Sequence, residues 1–253
     1  DNWLELGDPW SIRKEDEKVT VSFADGDVLA VPYDTPIIGY GGDTINTLRL
    51  WQAEAIHPFD LDEYNKQNYD LSVKDKNDAE TITKVLYPND TKDEGKILRL
   101  KQQYFFVSAS LQDLVRKHLD EYNTLDNFHE LHAIQLNDTH PTVAIPEMMR
   151  ILTDVYKMDW DKSWDIVVKT FAYTNHTILQ EALEQWPVRL YKSVLPEIYK
   201  IVERVNENLI KELKIRGIPN DDIKGYKIIV DDNIKMAYLA IYGTHSTNGV
   251  AKV

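Results

Sequence analysis

The sequence predicts an α/β protein whose opening third is rich in β-structure, and three observations predict it. Residues 1–60 alternate apolar and polar positions in "KVTVSF" and "INTLRLWQAEA", the period of two that a half-buried strand needs. From residue 61 to residue 125 the apolar positions fall near helical spacing instead. Over residues 126–253 short apolar runs, "AIQL" and "VVKTFAY" among them, recur between helical stretches, the sequence signature of an open α/β sheet.

Each element follows in order. "KVTVSFADGDVLAVPY" alternates Val19, Val21 and Phe23, turns at Asp25-Gly26 and resumes from Val28 to Val31, which predicts a hairpin. "YDTPIIGYGGDT" carries Pro36 and Gly41-Gly42, loop signals, before "INTLRLWQAEA" resumes as a strand. "DLSVKDKNDAETITKVL" is charged with few apolar positions, so it predicts a solvated helix that projects from the body or meets a partner. A long packed helix follows, with Val107, Leu111, Leu114 and Leu119 as its apolar stripe. "TVAIPEMMRILTDVYKM" and "DWDKSWDIVVKT" predict two more, the second burying Trp160, Trp164 and Val167. "LPEIYKIVERVNENLIKELKIRG" places Val202, Val205, Leu209 and Leu213 on one stripe and ends at Gly217 as a left-handed cap, with Pro219 beyond. "YKIIV" and "MAYLAIYG" suit buried strands, although "MAYLA" alone is equally a helix.

Composition narrows the function classes. With 43% hydrophobic and 10% aromatic content, 253 residues can bury a real core. A net charge of −13, from 42 acidic and 29 basic residues, opposes nucleic-acid binding, which needs a concentrated positive face. There is no cysteine, so neither a disulfide framework nor a thiolate metal site can form; this fits a reducing compartment, and the cytoplasm is expected. The opening "DNWLELGDPW" has no basic-then-apolar leader, and no apolar run approaches the roughly 18 residues of a membrane span, so no membrane partner is expected. "STNGVAKV" stops without a polar tail and reads as the edge of a piece cut from something longer.

Three apolar runs are each followed by a polar cluster centred on a histidine: Asn137-Asp138-Thr139-His140, Thr174-Asn175-His176-Thr177, and Thr244-His245-Ser246-Thr247-Asn248-Gly249. The carboxyl ends of parallel strands collect ligands, so three neighbouring strands would make these clusters converge. Short neutral donors and acceptors with one carboxylate suit sugar hydroxyls better than phosphates. Taken singly, Asp138 or Thr139 before Pro141 is also a plain helix N-cap, and Glu181 and Glu184 read as solvated or capping rather than as an acid/base pair. No glycine-rich phosphate loop is present, and a metal centre of Asp138, His140 and His176 lacks any supporting ligand spacing.

"LRLWQAEA", "VLYPND", "EGKILRLKQQYFFVSASLQDLVR", "AIQLNDTHPTVAIPEMMRIL", "WDIVVKTFAYTNHTILQEALEQWPV" and "MAYLAIYGTHSTNGVAKV" closely resemble the α-1,4-glucan phosphorylases, which act on glycogen, starch and maltodextrin, in order and over nearly the whole chain. The resemblance implies part of the Rossmann-like N-terminal lobe of a two-lobed GT-B glycosyltransferase. Residues 1–253 would be a single partial lobe, with a β-rich segment at 1–60, tower-like and long helices at 61–125, and an α/β portion carrying the cleft motifs at 126–253. The reaction implied is reversible phosphorolysis, passing the terminal glucosyl unit to phosphate as glucose 1-phosphate with retention. It also implies pyridoxal phosphate, held by a lysine of the missing C-terminal lobe, so this fragment alone is expected to be inactive and to hold no cofactor.

Residue by residue, His176 in "TNHT" resembles the histidine whose backbone carbonyl faces the reacting glucosyl unit, and Asp138 and His140 in "LNDTHP" resemble the pair lining the cleft beside the sugar. Asn89 and Thr91 in "YPNDTKDEG" fall in the family's mobile gate loop, where Thr91, Lys92 and Asp93 depart from the Asn-Phe-Phe of animal-type enzymes. Arg116-Lys117 match an Arg-Arg pair that binds a regulatory AMP phosphate; a lysine at the second position loses a bidentate fork. Residues 70–86 align with a helix that meets its mate across the family's homodimer. Against the enzyme reading stand a non-catalytic carbohydrate-binding or interaction module and, more weakly, a histidine-based metal hydrolase.

Overall fold

A computed structural model describes residues 9–177, 179 and 183–250, which leaves Glu181 outside the described residues. The chain divides into two compact units, Asp1–Asp113 and Leu114–Val253. Among the described residues no helix is long and apolar enough to cross a membrane.

The first unit is built on an antiparallel sheet of β1 (Ile12–Arg13), β2 (Val19–Phe23), β3 (Gly26–Ile38) and β4 (Ile45–Ala55). The β2–β3 hairpin forms as predicted, with Phe23 opposite Gly26. The stretch read as loop around Pro36 instead continues β3, pairing with β4 without a break from Val28↔Ala55 to Ile38↔Ile45. Proline is tolerated there because β1 pairs only as far as Asp34, which leaves Pro36 with a neighbour on one side alone. Two short helices, α1 (Leu61–Asn65) and α2 (Tyr69–Ser72), lead to α3 (Lys74–Lys84). The projecting helix expected at this point lies down instead: α3 buries Ala79 and Ile82 and packs on β4, with Thr83 Oγ1 accepting from the Ala53 N–H at 3.2 Å. Two apolar positions a turn apart suffice to seat a helix on a sheet, which its overall polarity hides.

The helix α4 (Asp93–Tyr122) runs from the first unit into the second. Its buried stripe passes through Leu100, Tyr104, Ser108, Leu111, Val115 and His118, while Val107, Leu114 and Leu119 are only half-buried. Ser108 and His118 occupy core positions, and these two polar residues conceal the true phase of the period.

In the second unit α5 (Phe128–Leu131) precedes β5 (Ile134–Asn137), and α6 (Ala144–Arg150) widens into a π-type turn over Ile151–Val155. Then α7 (Trp160–Thr170) passes directly into β6 (Phe171–Asn175). Asp159 caps α7, accepting from the N–H groups of Asp161 and Lys162. The face α7 buries is Ser163, Ile166, Val167 and Thr170; Trp160 is half-buried beneath the Arg204 guanidinium at 3.7 Å, and Trp164 lies against Tyr242. There follow β7 (Gln185–Pro187), α8 (Val188–Val194), α9 (Pro196–Ile215) and α10 (Asn220–Ile223). The stripe of α9 buries Val202, Val205 and Leu209, and Gly217, at φ +79°, closes it with the Ile218 N–H on the Leu213 carbonyl at 3.1 Å. The strands β8 (Ile229–Val230) and β9 (Asn233–Lys235) join β7 in a small antiparallel sheet. "MAYLAIY" is a helix, α11 (Met236–Tyr242), which buries Met236, Ala237, Leu239 and Ala240 at helical spacing and packs against β6 while Ile241 stays exposed. Gly243, at its end, lets it close on α6: a Cβ there would lie 2.7 Å from Ile145 Cγ2. β10 (Thr247–Gly249) completes the unit.

Candidate functional site

The parallel sheet of the second unit has the order β10-β6-β5, so β6 is central and the carboxyl ends of all three strands lie side by side. Its two faces differ. Leu136 and Tyr173 point into the core and are almost wholly buried. Gln135, Asn137, Thr174 and Asn248 share the other face, since Asn137 and Asn248 both lie opposite Thr174. On that face Gln135 Nε2 donates to Thr174 Oγ1 at 2.7 Å, and Thr174 Oγ1 donates onward to Asn248 Oδ1 at 2.9 Å.

Beyond the strand ends, Asp138 adopts a left-handed conformation, φ +66°, with its N–H on the Thr174 carbonyl at 2.9 Å and its carboxylate accepting from the Thr139 N–H at 2.8 Å. Asp is among the few residues that enter this region without large cost. The N-cap role open to Asp138 or Thr139 is not taken: α6 begins at Ala144, and its N-cap, Val143, makes no side-chain capping bond. His140 follows, half-buried, in the turn that leads to α6. His176, exposed, stands just past β6, where its Nε2 bonds Asn137 Oδ1. Below them, burial and then the negative charge of Asp138 push the Tyr173 hydroxyl up to about 12, partly offset by Asn175, so it stays protonated at neutral pH.

Two of the three clusters therefore meet as expected, and the third meets them differently. Because "MAYLAIY" is a helix, the third cluster precedes and forms β10 rather than following a strand. His245 donates its N–H to the Phe171 carbonyl at the amino end of β6, away from Asp138 and His176, and Asn248 reaches the carboxyl end in its place. Among the described residues no three His, Asp or Glu side chains are grouped so as to hold a metal ion.

This edge of uncharged amides, hydroxyls and imidazole beside one carboxylate sits in a chain that a carbohydrate phosphorylase family model matches over residues 1–253. The chain belongs to that family. It is 43% identical over 275 residues to the glycogen phosphorylase of Synechocystis sp., covering 99% of this chain and 32% of that protein. The muscle form from Homo sapiens is 43% identical over 280 residues, covering 100% of this chain and 33% of that protein. The liver form from Ovis aries is 44% identical over 279 residues. The phosphorylase chain described here thus spans about a third of the length of the relatives it matches.

The remaining residues singled out in this phosphorylase sequence lie elsewhere. Asn89 and Thr91, in the first unit, form a closed turn: Asn89 Oδ1 accepts from the Thr91 N–H at 3.0 Å and from its hydroxyl at 2.8 Å. Asp90 pairs with Arg99 at 2.8 Å, and that guanidinium holds its carboxyl below the usual carboxylate range. Gly95 is required by this turn, because a Cβ there would stand 1.9 Å from the Asn89 carbonyl oxygen. Arg116, half-buried, and Lys117, exposed, are successive residues of α4, and neighbours on a helix splay apart rather than forming one fork. Asn137, Gln135 and Asn248 are the site residues to which sequence reading assigned no role of their own; their signal was the alternation that put each on the face opposite Leu136.

Proposed function

We propose that this chain forms one wall of the active site of an α-1,4-glucan phosphorylase, which removes the terminal glucosyl unit of glycogen or a maltodextrin and passes it to phosphate as glucose 1-phosphate with retention of configuration. The observation that supports it best is the adjacency of Asp138 and His176 at the carboxyl ends of paired parallel strands, with neutral hydrogen-bonding groups around them. In this reading the polar edge faces the cleft between two lobes of a GT-B enzyme, residues 1–253 form part of the Rossmann-like N-terminal lobe, and a C-terminal lobe closes it. The full-length protein is cytoplasmic and uses residues 70–86 as a homodimer contact. Asn89 and Thr91 gate entry; Arg116 and Lys117 mark a degenerate regulatory-phosphate position.

His176 is the catalytic residue: its backbone carbonyl, a fixed dipole, stabilises positive charge as the glucosyl carbon becomes oxocarbenium-like, and its imidazole bonds a sugar hydroxyl. Asp138 and His140 bind the sugar. No lysine or arginine lies on β5, β6 or β10, so this edge does not fit pyridoxal phosphate, whose lysine belongs to the remainder of the parent.

Phosphate-dependent release of glucose 1-phosphate by the full-length protein tests the reading. His176→Ala keeps the carbonyl and loses one hydrogen bond, so kcat should fall about tenfold. Asp138→Asn should chiefly raise KM. Unchanged kinetics in both variants would remove the assignment.

A further inference from the structure

We infer that Asn137 is a positioning residue for His176, fixing the tautomer in which Nε2 carries the proton and Nδ1 presents a bare lone pair to the substrate; this rests on the reading of His176 given above. His176 lies beyond the last paired residue of β6, exposed, and strand pairing does not hold its ring. Asn137 is differently placed. It is the last residue of β5, lies opposite Thr174 in the ladder, and is followed by the Asp138 N–H bonded to the Thr174 carbonyl at 2.9 Å, so its backbone is pinned on both sides. Its amide oxygen is the atom that meets His176 Nε2.

An amide oxygen can only accept. A neutral imidazole bonded to it must therefore carry its proton on Nε2, which leaves Nδ1 as an acceptor for a hydroxyl. The choice of an amide also matters: a carboxylate would accept equally well but would favour the imidazolium, which has no acceptor left. Asn137 thus sets ring orientation and tautomer together without adding charge beside Asp138, whose carboxylate accepts from the Thr139 N–H.

The test is a set of variants of the full-length protein assayed for glucose 1-phosphate release. Asn137→Leu should lower kcat/KM about tenfold, and the isosteric Asn137→Asp, which keeps the acceptor but favours the imidazolium, should recover that loss only as the pH is raised and the ring loses its extra proton. The double variant Asn137→Leu/His176→Ala should be no worse than His176→Ala alone, because both substitutions remove the same oriented ring. Asn137→Leu with wild-type kinetics beside an impaired His176→Ala, no recovery with aspartate even at raised pH, or losses that multiply in the double variant would each overturn the role of Asn137 while leaving His176 in place. A fully active His176→Ala would overturn both.

Discussion

In the antiparallel sheet of the first unit Arg13 and Arg49 are matched with carboxylates, whereas in the parallel sheet of the second the polar side chains of Gln135, Asn137, Thr174 and Asn248 carry no charge. Arg49 on β4 grips Asp34 with two bonds of 2.7 Å and also lies 2.7 Å from Glu17 and 2.9 Å from Asp113. These partners hold its guanidinium protonated, Asp34 foremost. This network ties β3, β4 and α4 together within the unit. The Gln135–Thr174–Asn248 chain and the Asn137–His176 pair spend fewer of their bonding positions on each other, and Gln135, Asn137, His176 and Asn248 are all exposed. Matched charge builds a frame; exposed neutral groups with bonding positions left over build a surface that can exchange one hydroxyl partner for another.

The contrast predicts unequal costs of breaking each network. Arg49→Met removes one cation from three carboxylates, of which Asp113 is buried, and should lower stability by about 3 kcal/mol in denaturant titration, toward the lower end for a broken ion pair because Glu17 is partly hydrated. Gly95→Ala comes next. The added methyl collides with backbone rather than with a side chain that could swing away, so about 2 kcal/mol is expected, with faster hydrogen exchange over residues 89–95. Thr174→Val should cost only about 1 kcal/mol, since Gln135 and Asn248 can turn to water. A Thr174→Val loss equal to that of Arg49→Met would erase the distinction between frame and surface.

Much of this arrangement was legible beforehand because it depends on local pattern. The β2–β3 hairpin, the stripe of α9 and its Gly217 cap, and the Asp138 and His176 clusters all follow from spacing within a few residues. What escaped is decided by neighbours distant in sequence. Pro36 reads as loop because only the pairing partners of β3 reveal that it has a neighbour on one side alone. His245 was placed on the wrong end of a strand because an apolar run of seven residues fits helix and strand equally, and the core around α11 makes the choice. The phase of α4 was lost to His118, a buried polar residue whose partners, His132 and Asn127, cannot be guessed from spacing.

That last cluster supplies the smallest expected effect. His118 Nδ1 lies 3.0 Å from His132 Nε2, and His118 Nε2 lies 3.1 Å from Asn127 Oδ1, so the amide oxygen fixes a proton on His118 Nε2 and His132 donates to His118 Nδ1. Burial first, and then repulsion from His118, lower the His132 pKa, with Glu121 opposing. His132 therefore binds its proton less readily in the folded chain than in the unfolded one, where the value is about 6.5. Folding is favoured fully above that pH, and the contribution is lost as pH falls below it through the lowered folded value. The carboxylates held low by cations, Asp90 and Glu63 among them, titrate at still lower pH and leave the window just below 6.5 to histidine. His132→Gln, which keeps a donor for His118 Nδ1, should flatten the decline in thermal midpoint between pH 7 and pH 5, whereas Arg49→Met should lower the midpoint at both pH values alike. A slope untouched by His132→Gln would place the titrating group elsewhere.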